Sequence, residues 1–211
     1  MNERTRWWLI RHAPVVGAQD LFYGGSDVAA DVSDETMFAA FPGWLPDAAV
    51  WLTSGLKRTQ QTADAIAAAG VNQDQRLIEP DLAEQRYGEW EMKRYDDLAM
   101  DLAKIAAAGQ WHRYWLAPAG HRPPGGESFL DVIERVGLAL ERHTERFRGR
   151  SIVAVIHGGT IRAAIAYAMN MEPDRALSIA VENLGTTRLD HMPGEGLGGD
   201  WRLAFSNSRA G

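Results

Sequence analysis

The sequence contains no cysteine. That excludes disulfides, a thiolate nucleophile and thiolate metal ligands, and it fits a reducing compartment. Positive charge is also scarce. The 22 lysine and arginine residues stand against 28 acidic ones, for a formal net charge of -6. Nucleic-acid and anionic-membrane binders lean the other way. Neither is expected as a partner, and any phosphate site must be a local basic cluster inside an acidic protein. No apolar run is long enough to span a bilayer. The opening residues carry charge and then only Trp7-Trp8-Leu9-Ile10 before Arg11, without the long apolar core of a signal peptide. The cytoplasm is therefore the expected location. There is no internal repeat and no low-complexity tract.

Apolar segments and helical periodicities alternate along the chain. Trp7–Ile10, Val50–Thr53 and Ser151–Ile156 are short and apolar, as strands buried on both faces are. Helices are expected over Leu56–Ala69, ending before Gly70, and over Gly159–Met169. Phe129, Val132, Ile133, Val136, Leu140 and Phe147 form the apolar stripe of a long helix over Ser128–Phe147, whose charged face is solvated. Ala176–Val181, Thr186–His191 and Trp201–Phe205 read as further strands. The expected class is α/β, with a mainly parallel central sheet flanked by helices. The 211 residues are read as one domain, 1–211. Residues 92–126, with a helix over Tyr95–Ala107 and a Pro/Gly-rich stretch from Pro118 to Gly126, fit the alternation poorly. They are read as a cap inserted over the carboxyl edge of the sheet.

In open α/β sheets ligands sit beyond the carboxyl ends of the strands. The first strand runs into Arg11-His12. The second runs through Thr53-Ser54 to Lys57-Arg58 at a helix start, and the third into His157-Gly-Gly-Thr160 at another. Two imidazoles and two guanidiniums thus reach one edge from distant parts of the sequence. Helix amino ends, such as that at Gly158, add backbone donors for an anion, and arginine offers a planar fork that matches phosphate oxygens. Taken singly, a histidine beside a strand is more often structural, and that reading is applied to His112, His121, His143 and His191. For His12, Arg58 and His157 together it needs three coincidences at one edge.

These segments resemble the histidine phosphatase superfamily, in its phosphoglycerate-mutase-like branch. Leu9-Ile-Arg-His-Ala13 is similar to the opening Arg-His-Gly motif. Ser54-Gly-Leu-Lys-Arg-Thr-Gln-Gln-Thr-Ala63 is similar to the second motif, whose phosphate-binding arginine falls on Arg58. Asp81-Leu-Ala-Glu-Gln-Arg-Tyr-Gly-Glu-Trp-Glu91 resembles the segment carrying the acidic proton donor, which falls on Glu84. Gly125-Gly-Glu-Ser128 resembles the opening of the long helix, and Val155-Ile-His-Gly-Gly159 the second histidine motif. Ala13 and Met92 stand where the family commonly has glycine, and a polar residue is missing near Gly17. Arg11-His-Ala-Pro-Val-Val16 with Tyr23, Gly24 and Asp27 is similar to the α-ribazole-phosphatase-like members in particular.

The resemblance implies a phosphomonoesterase acting on a small phosphorylated metabolite. His12 would attack phosphorus and be transiently phosphorylated, with its other ring nitrogen donating to a backbone carbonyl. Arg11, Arg58, His157 and Gly158 would hold the phosphoryl oxygens. Glu84 would protonate the leaving alkoxide, with Glu89 or Glu91 as alternative donors. Tyr23, Trp111, Tyr114 and Trp115 are candidates for a leaving-group pocket, against the plainer reading that the three cap aromatics fill a small core. No cofactor and no metal is expected, because there is no His-Glu-x-x-His motif and no dense aspartate cluster. A mutase-type phosphotransferase and a non-catalytic phospholigand-binding protein are the alternatives, and the reading leaves room for a homodimer.

Overall fold

The computed structural model describes residues 4–18, 20–73, 75–109 and 111–210. These form a six-stranded sheet in the order β3-β2-β4-β1-β5-β6, where β1 is Thr5–Arg11, β2 Val50–Thr53, β3 Gln75–Ile78, β4 Ser151–Ile156, β5 Thr186–His191 and β6 Trp201–Ser208. The first four are mutually parallel, and β5 pairs antiparallel with both β1 and β6. The sheet is therefore mainly parallel and flanked by helices, as expected.

The alternation of side chains along β1 explains why its sequence is apolar throughout. Trp7 and Leu9 point into one core, with α3 (Phe129–Arg146) and α4 (Gly158–Ala168). Trp8 and Ile10 point into the other, with α1 (Lys57–Ala68), Phe38, Phe41 and Leu45. A strand covered on both faces has no solvent side to make polar. Trp7 is fully buried and its indole N–H donates to Thr144 Oγ1 at 2.9 Å, so burial leaves no orphaned donor.

Three expectations need correction. Gln75–Ile78 is a strand the sequence did not reveal. It is a short edge strand with mostly exposed side chains, so it lacks an apolar signature. Ala176–Val181 is not a strand. Pro173–Ala176 forms a single helical turn (α5), started by Pro173 at its first position and by the Glu172 carboxylate, which accepts the Asp174 and Arg175 N–H groups. The helix expected over Tyr95–Ala107 is split into a 3-10 turn, Asp96–Leu98, and α2, Ala99–Ala107. Leu98, Ile105 and Ala117, within the expected cap at 92–126, pack with Tyr87 and Trp90, which precede it, in a third small core.

Two segments cross backbone to backbone just before α3. A methyl group on Gly126 would stand 2.6 Å from Arg86 O, and one on Gly88, whose φ is +55°, would stand 2.1 Å from Pro124 O. Arg86 O accepts the Glu127 N–H at 2.8 Å, and the Glu127 carboxylate accepts the Arg86 N–H at 3.0 Å. Burial opposes the charge of Glu127, but hydrogen bonds from Arg135 and the Arg86 N–H hold its carboxyl below the ordinary range. Arg135 in turn donates to Asp81 O, Ala83 O and Glu84 O. Ser128 then caps α3 in a reciprocal capping box with Asp131. The residues 81–88 are thus locked to the start of α3, and this sets where Glu84 points. Gly126→Ala is expected to cost about 2–3 kcal/mol, in the range of overpacking against unyielding backbone. A urea denaturation midpoint equal to that of the wild type would contradict the crossing.

Candidate active site

His12 follows β1 and is held on several sides through its backbone. Its N–H donates to Ile156 O at 2.9 Å, and its carbonyl accepts Asn183 Nδ2 at 2.7 Å. The next N–H, of Ala13, donates to Thr62 Oγ1 at 2.9 Å, and that hydroxyl donates to Arg58 O. The motif around Arg58 therefore fixes His12 as well as supplying the guanidinium. Alanine at position 13 fits because its methyl is buried in the second core and its φ is not positive.

The His12 ring is 1% exposed. Its Nδ1 lies 2.7 Å from Ala13 O. A carbonyl only accepts, so Nδ1 carries the proton and Nε2 carries the lone pair. Burial, then the Arg58 charge, push the ring's pKa down to about 3, against the hydrogen bond to Ala13 and with a smaller push from Arg11. The ring is neutral at every physiological pH.

His157 follows β4, with its ring centroid 5.2 Å from that of His12. Arg58 Nε donates to its Nδ1 at 3.2 Å, so Nε2 carries the proton and donates to Ser54 Oγ at 2.8 Å. Both ring nitrogens are thus engaged by protein. Burial and the neighbouring Arg58 hold its pKa well below the ordinary histidine value. Direct contact with a phosphoryl oxygen requires Nε2–H to leave Ser54. As placed, His157 orients the Arg58 guanidinium, and Ser54 is a partner that the sequence did not single out.

Arg58 is fully buried. Its Nη1 donates to Ser26 O at 2.7 Å and its Nη2 to Gly24 O at 2.6 Å, and its Cζ lies 5.1 Å from the Tyr23 ring centroid. Arginine has five N–H donors, so two are left for an anion. Glu91 holds the carbonyl-bearing loop in place, accepting from Gly25 N, Ser26 Oγ and Tyr87 N. Those three bonds make Glu91 a buttress and remove the grounds for reading it as the proton donor. Asp27 in the same loop accepts the Lys57 N–H at 2.7 Å at the first turn of α1.

Glu84 lies at the amino end of α4. Its carboxylate accepts the Gly159 N–H and the Gln85 N–H, both at 3.1 Å. Beside it is a cavity of about 180 Å³ whose lining includes Arg11, Tyr23, Tyr87, Gly158, Trp115 and Arg162. Arg11 Nη1 is held by Val181 O at 2.7 Å, while its Nε is buried without a partner among the described residues. Of the expected leaving-group aromatics, Tyr23 and Trp115 line this cavity. Trp111 and Tyr114 do not: each is 62% exposed, so they fill neither the cavity nor the cap core. The other histidines are structural in their contacts. His143 Nε2 meets Glu79 at 2.6 Å, His112 Nε2 meets Asp174 O, and His121 and His191 pack on Trp90 and Trp201. Among the described residues no three His, Asp or Glu side chains gather as a metal site.

The model of the histidine phosphatase superfamily (branch 1) matches residues 7–202. The chain belongs to that superfamily. Among curated relatives, it is 27% identical over 170 residues to the bifunctional protein Rv2228c of Mycobacterium tuberculosis, which covers 79% of this chain and 44% of that protein, so the chain spans less than half of that relative's length. It is 29% identical over 174 residues to the adenosylcobalamin/α-ribazole phosphatase of Escherichia coli, covering 79% of this chain and 80% of that one. The crystal structure of the α-ribazole phosphatase from Shigella flexneri superposes with a TM-score of 0.75 at 25% identity, covering 97% of each chain. At Met92, where the resemblance implies a glycine, the backbone gives a reason for one. Met92 has φ +60°, a left-handed conformation that costs a side-chain-bearing residue about 1–2 kcal/mol.

Depressed histidine pKa values carry a stability signature. An unfolded His12 takes up a proton below its ordinary value of 6.5, whereas the folded ring does so only near 3. Its contribution is therefore present in full above 6.5 and is lost as pH falls from there towards 3. His12→Asn is expected to flatten the fall in unfolding free energy between pH 6.5 and about 5, a window above the carboxylate titrations. An unchanged slope, or a His12 ring proton signal that titrates near 6.5 by NMR, would show the ring to be solvated.

Proposed function

We propose that the chain is a metal-independent phosphomonoesterase that acts on a small phosphorylated metabolite through a phosphohistidine at His12. The observation that carries this reading is the state of the His12 ring. It is neutral, with Nδ1–H spent on Ala13 O, so the Nε2 lone pair is available beside a buried arginine. A histidine kept only to bind an anion would gain from being protonated. One kept neutral between cations suits a nucleophile.

In the first step Nε2 attacks phosphorus, the P–N bond forms and the bond to the leaving oxygen breaks. Arg58 and Arg11 neutralise the equatorial oxygens, with the Gly158 N–H at the amino end of α4. Glu84 gives its proton to the departing alkoxide. In the second step Glu84 takes a proton from water, the water oxygen attacks phosphorus, the P–N bond breaks and inorganic phosphate leaves. The backbone donors on both Glu84 oxygens fix the carboxyl in the lining of the cavity, where a leaving group would stand. The similarity to α-ribazole phosphatases supports hydrolysis, and the equal identity to a phosphoglycerate mutase of Gloeobacter violaceus, 29%, keeps mutase chemistry as the second reading.

The proton-donor role separates leaving groups. Glu84→Gln is expected to lower kcat/KM for alkyl phosphates by about 10²–10⁴-fold, the range of general acid catalysis. The phosphorylation burst with p-nitrophenyl phosphate should change much less, because nitrophenolate leaves without a proton. The assay is run after chelator treatment and gel filtration. Comparable losses for both ester types would remove Glu84 as the acid, and activity restored only by Mg²⁺ or Zn²⁺ would overturn metal independence.

A further inference from the structure

We infer that Arg162 and Trp115 build a second anion subsite on the leaving-group side of the cavity, and that the substrate is a small phosphomonoester carrying a carboxylate in its leaving group. The inference rests on the phosphatase reading for which end of the substrate faces this subsite.

Arg162 sits one helical turn after Gly158 on α4. Its Nε donates to Ile179 O at 2.8 Å, and its Cζ lies 4.8 Å from the Trp115 ring centroid. These two contacts fix the guanidinium plane and leave its Nη1/Nη2 edge, the edge that pairs with both oxygens of a carboxylate. The edge faces the amino end of α4. A methyl placed on Gly158 would lie 3.5 Å from Arg162 Nη1 and 3.6 Å from Arg11 Nε. Two guanidiniums thus close over one glycine, and neither has an ion-pair partner among the described residues.

A charge count then separates their tasks. A phosphoryl dianion is matched by Arg11 and Arg58, and Glu84 must be protonated to act as an acid. Arg162 is a third cation, half-buried, with Glu84 as its only nearby carboxyl influence among the described residues. Desolvation works against its charge, with Glu84 supporting it and Arg11 opposing it further. A desolvated cation without a fixed counter-ion is destabilising unless a ligand supplies the anion. The cavity of about 180 Å³ admits only a few heavy atoms beyond the phosphoryl group. Trp115 is the aromatic wall that lies against this position, whereas Trp111 and Tyr114 stand in solvent.

The test is calorimetric and needs no turnover. Phosphonoacetate and 3-phosphonopropanoate are compared with ethylphosphonate and propylphosphonate, all with C–P bonds that cannot be hydrolysed. In the wild type at least one carboxylate ligand should bind about 10- to 100-fold more tightly than its uncharged counterpart, the range of a charge-assisted hydrogen bond. Arg162→Met should abolish that advantage and Arg162→Lys should restore part of it. Inorganic phosphate should bind Arg162→Met within about threefold of the wild type, which also reports that the site is folded. Equal affinities in the wild type, or an advantage that survives Arg162→Met, would overturn the subsite. An equal loss of inorganic phosphate would do so too, because it would make Arg162 a ligand of the phosphoryl group. Failure of any ester to be hydrolysed in a His12-dependent way would sink the phosphatase reading, and the binding comparison would still judge the subsite.

Discussion

The arrangement depends on one buried guanidinium. Arg58 is removed from solvent, where burial pushes its pKa down, and its hydrogen-bond partners are neutral: two carbonyls and an imidazole nitrogen. A buried cation satisfied by dipoles alone is costly, and it gains most from an anion delivered beside it. Each neighbour then has a physical reason. Glu91 ties down the loop that offers Gly24 O and Ser26 O. His157 must be neutral to accept from Arg58 Nε, and burial with Arg58 beside it ensures that. His12 is kept neutral by its own burial and by the same positive field. The cation that would hold the phosphoryl group thus also helps burial to keep the proposed attacking nitrogen unprotonated.

Glu84, the proposed proton donor, is placed by a different set of contacts. Glu84 belongs to a segment that crosses the start of α3 at Gly88 and Gly126, where any side chain would strike backbone. Glu127 and Arg135 clamp that crossing through six hydrogen bonds to the backbone and to each other. The carboxyl then rests on the first turn of α4, next to the helix end that would receive phosphate. Glu84 and His12 are held through different hydrogen bonds, Glu84 by the Gly159 and Gln85 N–H groups and His12 by Ile156 O and Asn183, while Glu91 links the two settings by bonding both Tyr87 N–H and the loop that holds Arg58.

Much of this was legible in the sequence, for reasons specific to each residue. Arg11, His12, Arg58 and His157 stand at the ends of apolar strands or the starts of helices, so the sheet topology alone brings them to one edge. Glu84 was legible only through the family resemblance, because nothing in periodicity separates it from Glu89 or Glu91. Arg162 was hidden: an arginine on a helix reads as a solvated charge until the fold turns that face inwards. Ser54 stands at a strand end and opens the second motif, but a serine signals no partner before His157 is placed beside it. Among Trp111, Tyr114 and Trp115, composition treated all three alike, and only packing against Arg162 distinguishes Trp115. The edge strand at Gln75–Ile78 carried no apolar signal, and the β-branched and apolar residues of Ala176–Val181 gave a false one that Pro173 and Glu172 override.

The central claim is that His12 Nε2 carries the phosphoryl group between the two steps. The most direct measurement is rapid quench with ³²P-labelled substrate, followed by peptide mapping of the labelled protein. The account predicts an acid-labile, base-stable phosphoramidate on the peptide containing His12, formed and consumed at rates that support turnover and absent from His12→Ala. Wild-type turnover in His12→Ala, or label on any other residue, would contradict it.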